Sequence, residues 1–383
     1  MVKRNKYMNV PEIRFKGLDK TWNKKTLDEL VQLNSGMDYK HLCNGNIPVY
    51  GTGGYMLSVN AALSYDKDAI GIGRKGTINK PYILKAPFWT VDTLFYAIPR
   101  KYNNLQFCNC IFQRIDWLKY DESTGVPSLS KNIINSIEVN CAPSYDEQQK
   151  IASYFQSLDS LIQTTSKKLV SLKQIKDASL QSMFPQEGET VPKVRFKGFE
   201  GEWDFVTAGE VFRTTNVRNR PDLPVLSATQ DKGMVKRSDI GYQVFHDKSN
   251  ETTYKHILPG QFIIHLRSFQ GGFAHSNIEG IVSPAYTVME FKNKEFHYDY
   301  FWKYIFTSKE FIKRLELITY GIRDGRTISF DEFKEMDFFI PSKLEQQKIA
   351  SYFCNLDKQI SLQTQRLEKL KQIKAACLDK MFV

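Results

Sequence analysis

The sequence predicts an α+β chain in which two mixed α/β domains are separated by two long helices. The helices are expected to pack as an antiparallel coiled coil, and the halves to be related by an internal pseudo-two-fold repeat. Three observations carry this reading. A short arm motif recurs, a long helical motif recurs, and the stretches between them hardly match.

The arm comes first. Pro11-Glu12-Ile13-Arg14-Phe15-Lys16-Gly17, followed by Trp22, returns 181 residues later as Pro192-Lys193-Val194-Arg195-Phe196-Lys197-Gly198, followed by Trp203. The helical motif returns at a larger offset. Glu147-Gln148-Gln149-Lys150-Ile151-Ala152-Ser153-Tyr154-Phe155 is identical to Glu345 through Phe353, Leu172 through Lys176 recurs as Leu370 through Lys374, and Met183-Phe184 recurs as Met381-Phe382, all 198 residues on. The unequal offsets make the second intervening domain the longer one. The expected order is an arm (1–22), a first domain (23–142), a central helix (143–184), a linker with the repeated arm (185–203), a second domain (204–340) and a final helix (341–383).

Each repeated block reads as one long helix. Pro143 and Pro341 stand just before it, where proline is tolerated, and Asp146 is the expected cap of the first copy. Apolar residues recur at Ile151, Phe155, Leu158, Ile162, Leu169 and Leu172, with polar Thr165 in the series; the second copy gives Ile349, Phe353, Leu356, Ile360, Leu367 and Leu370, with Gln363. Steps of four and three alternate, the signature of a heptad seam. With no proline before Pro185, each helix spans about 37 residues, or roughly 55 Å. With Phe155 and Phe353 at a positions, Thr165 and Gln363 fall at d. An antiparallel register sets Thr165 against Ile360 or Leu367, and Gln363 against Ile162 or Leu169. Such a polar pair fixes register at some cost in stability.

The intervening domains show short β-rich runs, such as Thr90 to Tyr96 and Gln261 to Leu266. Glycine-rich turns are expected at Gly51 to Gly54, Gly71 to Gly76 and Gln270 to Gly272, and shorter helices near Phe107–Leu118 and Tyr298–Leu317.

Composition narrows the function classes. At 383 residues the chain can bury two cores, and its net charge of +11 points to an anionic partner, of which nucleic acid is the commonest. Cys43, Cys108, Cys110, Cys141, Cys354 and Cys377 form no C-x-x-C pair, so they read as free thiols of a reducing cytoplasm. No apolar run reaches membrane-spanning length, and the basic start Met1 to Lys6 is followed by no apolar stretch, so neither a membrane role nor a secretory signal is expected. Gly71-Ile72-Gly73-Arg74-Lys75-Gly76 fits a dinucleotide fingerprint, but Thr77-Ile78-Asn79-Lys80-Pro81 after it is a poor helix opening. No Walker A lysine and no Asn-Pro dipeptide occurs, Pro221-Asp222 stands far from Glu332-Phe333-Lys334, and the six histidines lack metal-ligand spacing. No catalytic, cofactor or metal site is therefore expected here.

Two basic clusters remain as candidate DNA contacts. The first domain offers Arg74, Lys75, Thr77, Asn79 and Lys80; the second offers Lys236, Arg237, Arg267, Ser268, Gln270, Arg323 and Arg326. Tight glycine turns let backbone approach phosphates, and arginine or lysine reads guanine edges. Solvated surface charge is the plainer reading of each.

The order of elements, with Pro143 through Phe155 around Glu-Gln-Gln-Lys-Ile and its second copy Pro341 through Phe353, resembles the specificity subunit of type I restriction-modification enzymes. The resemblance covers essentially the whole chain. It implies that each globular domain is a target recognition domain reading one half of a split double-stranded DNA site, with antiparallel helices holding the two at fixed separation. It implies two docked modification subunits that bind S-adenosylmethionine and methylate adenine. Motor-nuclease restriction subunits, bringing ATP and magnesium chemistry, would join them. The chain itself would be a non-catalytic cytoplasmic subunit without cofactor. On residues alone two other readings stay open: a stand-alone DNA methyltransferase or nuclease, and a coiled-coil scaffold with no DNA role.

Overall fold

The computed structural model describes residues 9–229, 233–240, 248–265, 272–319 and 328–383. It divides into two compact units, one of residues 1–167 with 364–383 and one of residues 168–363. The units are therefore not consecutive stretches of chain. Each takes its own domain, the first part of one long helix and the last part of the other.

In the first unit a four-stranded antiparallel sheet runs in the order Val31–Ser35, Leu94–Pro99, Ala69–Gly73, Tyr82–Leu84. Its two faces follow strand alternation. Ile70, Ile72, Phe95 and Ala97 enter the core with Trp22, Phe107, Phe112 and Phe155. On the other face, Leu94 joins Val49, Val59 and Trp89 of the sheet Gly54–Val59, Asn44–Gly51, Trp89–Thr90. Two expectations are corrected here. Ala69–Gly73 is a fully buried strand rather than part of a glycine turn, because Ile70 and Ile72 alternate into the core. Gly73 is required by space: a Cβ there would stand 2.1 Å from the Thr77 carbonyl oxygen. The expected run over Thr90 to Tyr96 is two strands in different sheets, separated by a turn in which the Leu94 amide donates to Val91 O at 2.9 Å. The helix expected near Phe107–Leu118 is Leu105–Arg114, capped by Asn104, followed by the 3-10 turn Trp117–Tyr120.

The second unit repeats this sheet order as Phe212–Thr215, Thr287–Phe291, Phe262–Ile264, Phe273–His275. Phe262, Ile264, Met289 and Phe291 face a core with Trp302 and Phe353. Ile263 and Val288 face Leu226, Met234, Ile257 and Val282. The single helix expected over Tyr298–Leu317 is two, Asp299–Phe306 and Lys309–Thr319. Ser308 ends one and caps the other, its Oγ accepting from the Phe311 amide at 3.2 Å.

Each domain begins and ends on one strand pair that delivers the chain to its helix: Asn23–Thr26 with Glu138–Cys141, and Asp204–Thr207 with Asp337–Ile340. The helices are Tyr145–Ser182 and Lys343–Lys380, 38 residues each. Their caps are Ser144 and Ser342, whose hydroxyls accept from Glu147 N at 3.3 Å and Glu345 N at 3.5 Å. Asp146, the expected cap, lies within the first turn instead. The helix segments run antiparallel within each unit. In the first, Tyr154 Oη lies 3.4 Å from Cys377 Sγ, and Lys374 pairs with Asp159 at 2.6 Å. In the second, Tyr352 Oη lies 3.0 Å from Ser179 Oγ, and Lys176 pairs with Asp357 at 2.5 Å. Along the seam Ile151, Phe155, Leu158, Thr165, Leu169 and Leu172 are buried, as are Ile349, Phe353, Leu356 and Leu367. Ile162, Ile360, Gln363 and Leu370 are half-buried.

The arms clasp the helices. Arg14 forks onto Glu147 with bonds of 2.7 and 2.8 Å, and Arg195 onto Glu345 with two of 2.8 Å. The Ile13 amide donates to Lys380 O at 3.0 Å, and the Val194 amide to Ser182 O at 2.9 Å. Each arm thus grips the start of one helix and the end of the other.

Candidate nucleic-acid interface

In the first unit all five candidates fall on the connection after Ala69–Gly73. Arg74, Lys75, Asn79 and Lys80 are exposed, Thr77 is half-buried, and buried Ile78 pins the loop to the core. The loop is tied on two further sides. Arg74 N donates to Thr93 O at 2.8 Å, and Gly76 N to Pro127 O at 2.8 Å. Gly76 has φ +93°, and Thr52 Oγ1 lies 3.8 Å from where a Cβ on it would stand, so the turn at Thr52 flanks the loop. Asp121 holds the segment behind it by accepting from Ser128 N at 2.8 Å and Ser123 N at 3.0 Å. Those two backbone donors keep its carboxyl below the ordinary aspartate value. Cationic side chains are therefore presented from a fixed frame, which suits phosphate and base-edge contacts.

In the second unit Lys236 is exposed at the end of Gly233–Lys236, and Arg237 is half-buried, its Nε donating to Ser227 Oγ at 3.2 Å. Arg267, Ser268, Gln270, Arg323 and Arg326 lie outside the described residues. The first three belong to the connection between Phe262–Ile264 and Phe273–His275, the topological counterpart of the Arg74 loop.

Sequence reasoning missed Arg218 and Lys255. Lys255 Nζ donates to Tyr286 O at 2.5 Å, and burial together with the nearby Arg218 guanidinium lowers its pKa. Neighbouring Arg220 is spent on Asp222, with bonds of 3.0 and 2.9 Å, whereas Arg218 Nε donates to Asn216 at 2.9 Å. Asn219 between them takes φ +64°, a conformation asparagine tolerates. The visible signal was the turn-forming run Arg218-Asn219-Arg220-Pro221-Asp222. Two cations without an acid between them form a ready anion contact.

Among the described residues no group of three or more His, Cys, Asp or Glu could hold a metal ion, and no helix is long and apolar enough to cross a membrane.

The paired sheets, repeated arms and antiparallel helices define a duplicated DNA-specificity architecture. The type I restriction modification DNA specificity domain matches twice, over residues 19–174 and 200–372, and the chain belongs to that family. The fold is similar to that of the type I restriction-modification S subunit from M. genitalium, with 15% identity, 98% of this chain and 99% of that one covered, and a TM-score of 0.68. The HsdS subunit from Thermoanaerobacter tengcongensis aligns at 16% identity over 94% and 96% of the chains with a TM-score of 0.42. No curated protein matches the sequence.

Proposed function

We propose that this chain is the DNA-reading subunit of a type I restriction-modification complex, each domain reading one half of a split duplex site. One observation carries the reading. The same sheet order recurs in both units, and the corresponding strand connections carry different residues, Arg74 to Lys80 in one and His265 to Gly272 in the other. A constant frame with variable basic loops is what two different half-sites require.

On this reading adenine methylation with S-adenosylmethionine belongs to two docked modification subunits. ATP-driven translocation and magnesium-dependent cleavage belong to restriction subunits, all in the cytoplasm. The test is exchange of residues 204–340 for the equivalent domain of a relative, followed by mapping of methylated adenines. One half of the methylated site is expected to change while the other stays. Change in both halves sinks the modular reading.

A further inference from the structure

In each unit a second surface stands away from the candidate DNA loops. In the first, Arg74 is bound to Thr93, just before strand Leu94–Pro99, and Tyr102 follows the other end of that strand. Six residues of strand set the two ends roughly 20 Å apart. In the second, Lys255 is bound to Tyr286, just before strand Thr287–Phe291, and Phe296 lies beyond its other end.

Tyr102 and Phe296 occupy equivalent places although their loops, Arg100-Lys101-Tyr102-Asn103-Asn104 and Lys294-Glu295-Phe296-His297-Tyr298, share no residue. Two residues after each aromatic, a backbone amide donates to the helix glutamine: Asn104 N to Gln148 and Tyr298 N to Gln346, both at 2.9 Å. Both aromatics are exposed, Tyr102 by 72% and Phe296 by 63%. Tyr102 is held at φ +66°, which is costly for a bulky side chain. The adjoining first helical turn exposes a further large apolar residue in each unit, Tyr145 and Leu344.

The helix surface beside these aromatics is identical in both copies. Lys150 and Lys348, and Ser153 and Ser351, are exposed in both. Solvation alone does not demand this. Nearer the helix middles the exposed positions differ: Ser160 against Lys358, Leu161 against Gln359, Thr164 against Leu362. Identity at exposed positions, with an aromatic regained in an otherwise different loop, marks a surface used twice by one partner.

We infer that these two patches are docking sites for two copies of a single protein, and, resting on the function proposed above, that this protein is the methyltransferase subunit. The charge fits a protein face with an acidic rim around an apolar pocket. Each aromatic is accompanied by cations, Lys101 and Lys150 in one unit and Lys294 and Lys348 in the other. Aromatic anchors of this kind dominate protein interfaces.

The test titrates the purified full chain with the purified methyltransferase subunit of the same system and counts bound copies by native mass spectrometry. Wild type should bind two copies. Tyr102→Ser and Phe296→Ser should each bind one, with affinity at the altered site down roughly tenfold or more, and the double variant none. Duplex binding and thermal melting of the free chain should not change, since both side chains are mostly exposed. Two copies retained at unchanged affinity in both single variants overturns the surface. Loss of duplex binding with two copies retained makes DNA the occupant and also overturns it. A wild-type chain that binds no methyltransferase subunit overturns the functional reading beneath it, which the domain exchange tests separately.

Discussion

The two arm clasps are built from the same residues, yet they satisfy their polar groups differently. In the first, Trp22 Nε1 donates to Glu147 at 3.1 Å, while Arg14 Nη1 is buried without a partner among the described residues. In the second, Arg195 Nη1 donates to Gly201 O at 2.5 Å, and it is Trp203 Nε1 that is buried and unpartnered. The cause lies in the stretch between glycine and tryptophan. Phe199-Glu200-Gly201-Glu202 turns at Gly201, with φ +81°, and brings its carbonyls onto Arg195; Leu18-Asp19-Lys20-Thr21 makes no such turn. What stays constant is the arginine–carboxylate fork. Both glutamates are 1% exposed, so the fork is the part neither copy can lose.

The largest effect should come from breaking a fork. Glu147→Ala and Glu345→Ala each leave a mostly buried guanidinium uncompensated, at a cost of about 3–5 kcal/mol to the unit concerned. Denaturant unfolding, followed unit by unit, should show comparable losses. A cost below about 1 kcal/mol in either would mean that the apolar core alone holds the arm.

The next effect separates the units by pH. Burial pushes His297 down from its ordinary value to about 4, and its Nδ1 is unpartnered among the described residues. The equivalent residue in the first unit is Asn103. Between about pH 6.5 and 4 the unfolded chain takes up a proton that the folded ring refuses. Stability of the second unit should therefore be full above that window and fall through it, by on the order of 3 kcal/mol. His297→Phe should flatten this component. An unchanged pH profile in the variant would assign the loss elsewhere.

The smallest effect concerns the indoles. Trp22→Phe deletes a made hydrogen bond, and Trp203→Phe an unmade one, so the first should cost more by about 1 kcal/mol. Equal costs would show that the two clasps are energetically alike despite their wiring.

The scaffold was legible because its constraints are local and periodic. Identical nonapeptides, proline boundaries and alternating steps of four and three placed both helices, and burial of Phe155, Leu158, Phe353 and Leu356 follows the seam. The errors share a cause, which is that tertiary contacts redirect local signals. Ser144 and Glu147 have capping-box spacing, but Glu147 turns to Arg14 instead of reaching back, and that reciprocity is not written locally. Gly71 and Gly73 read as turn residues until Leu84 and Thr77 are seen crowding their missing side chains. The candidate DNA residues were legible as charge, not as position. Lys255 sits mid-strand and gains its meaning only from Arg218 and Tyr286. Tyr102 and Phe296 left no signal, because their equivalence is visible only through the glutamines that anchor both loops.

The clasp of arm on helix end has a topological consequence. Ser182 and Val194, joined by eleven intervening residues, meet as Lys380 and Ile13 do, although those two are far apart in sequence. Each unit needs an arm, a domain, the start of one helix and the end of the other, but not a peptide bond between the last and the first. The fold is a cycle of arm, domain and helix, traversed twice, and the linker after Phe184 merely bridges a joint that the clasp already makes without one. Cutting that linker and joining residue 383 back to the first arm would exchange which joint is covalent while leaving every clasp in place.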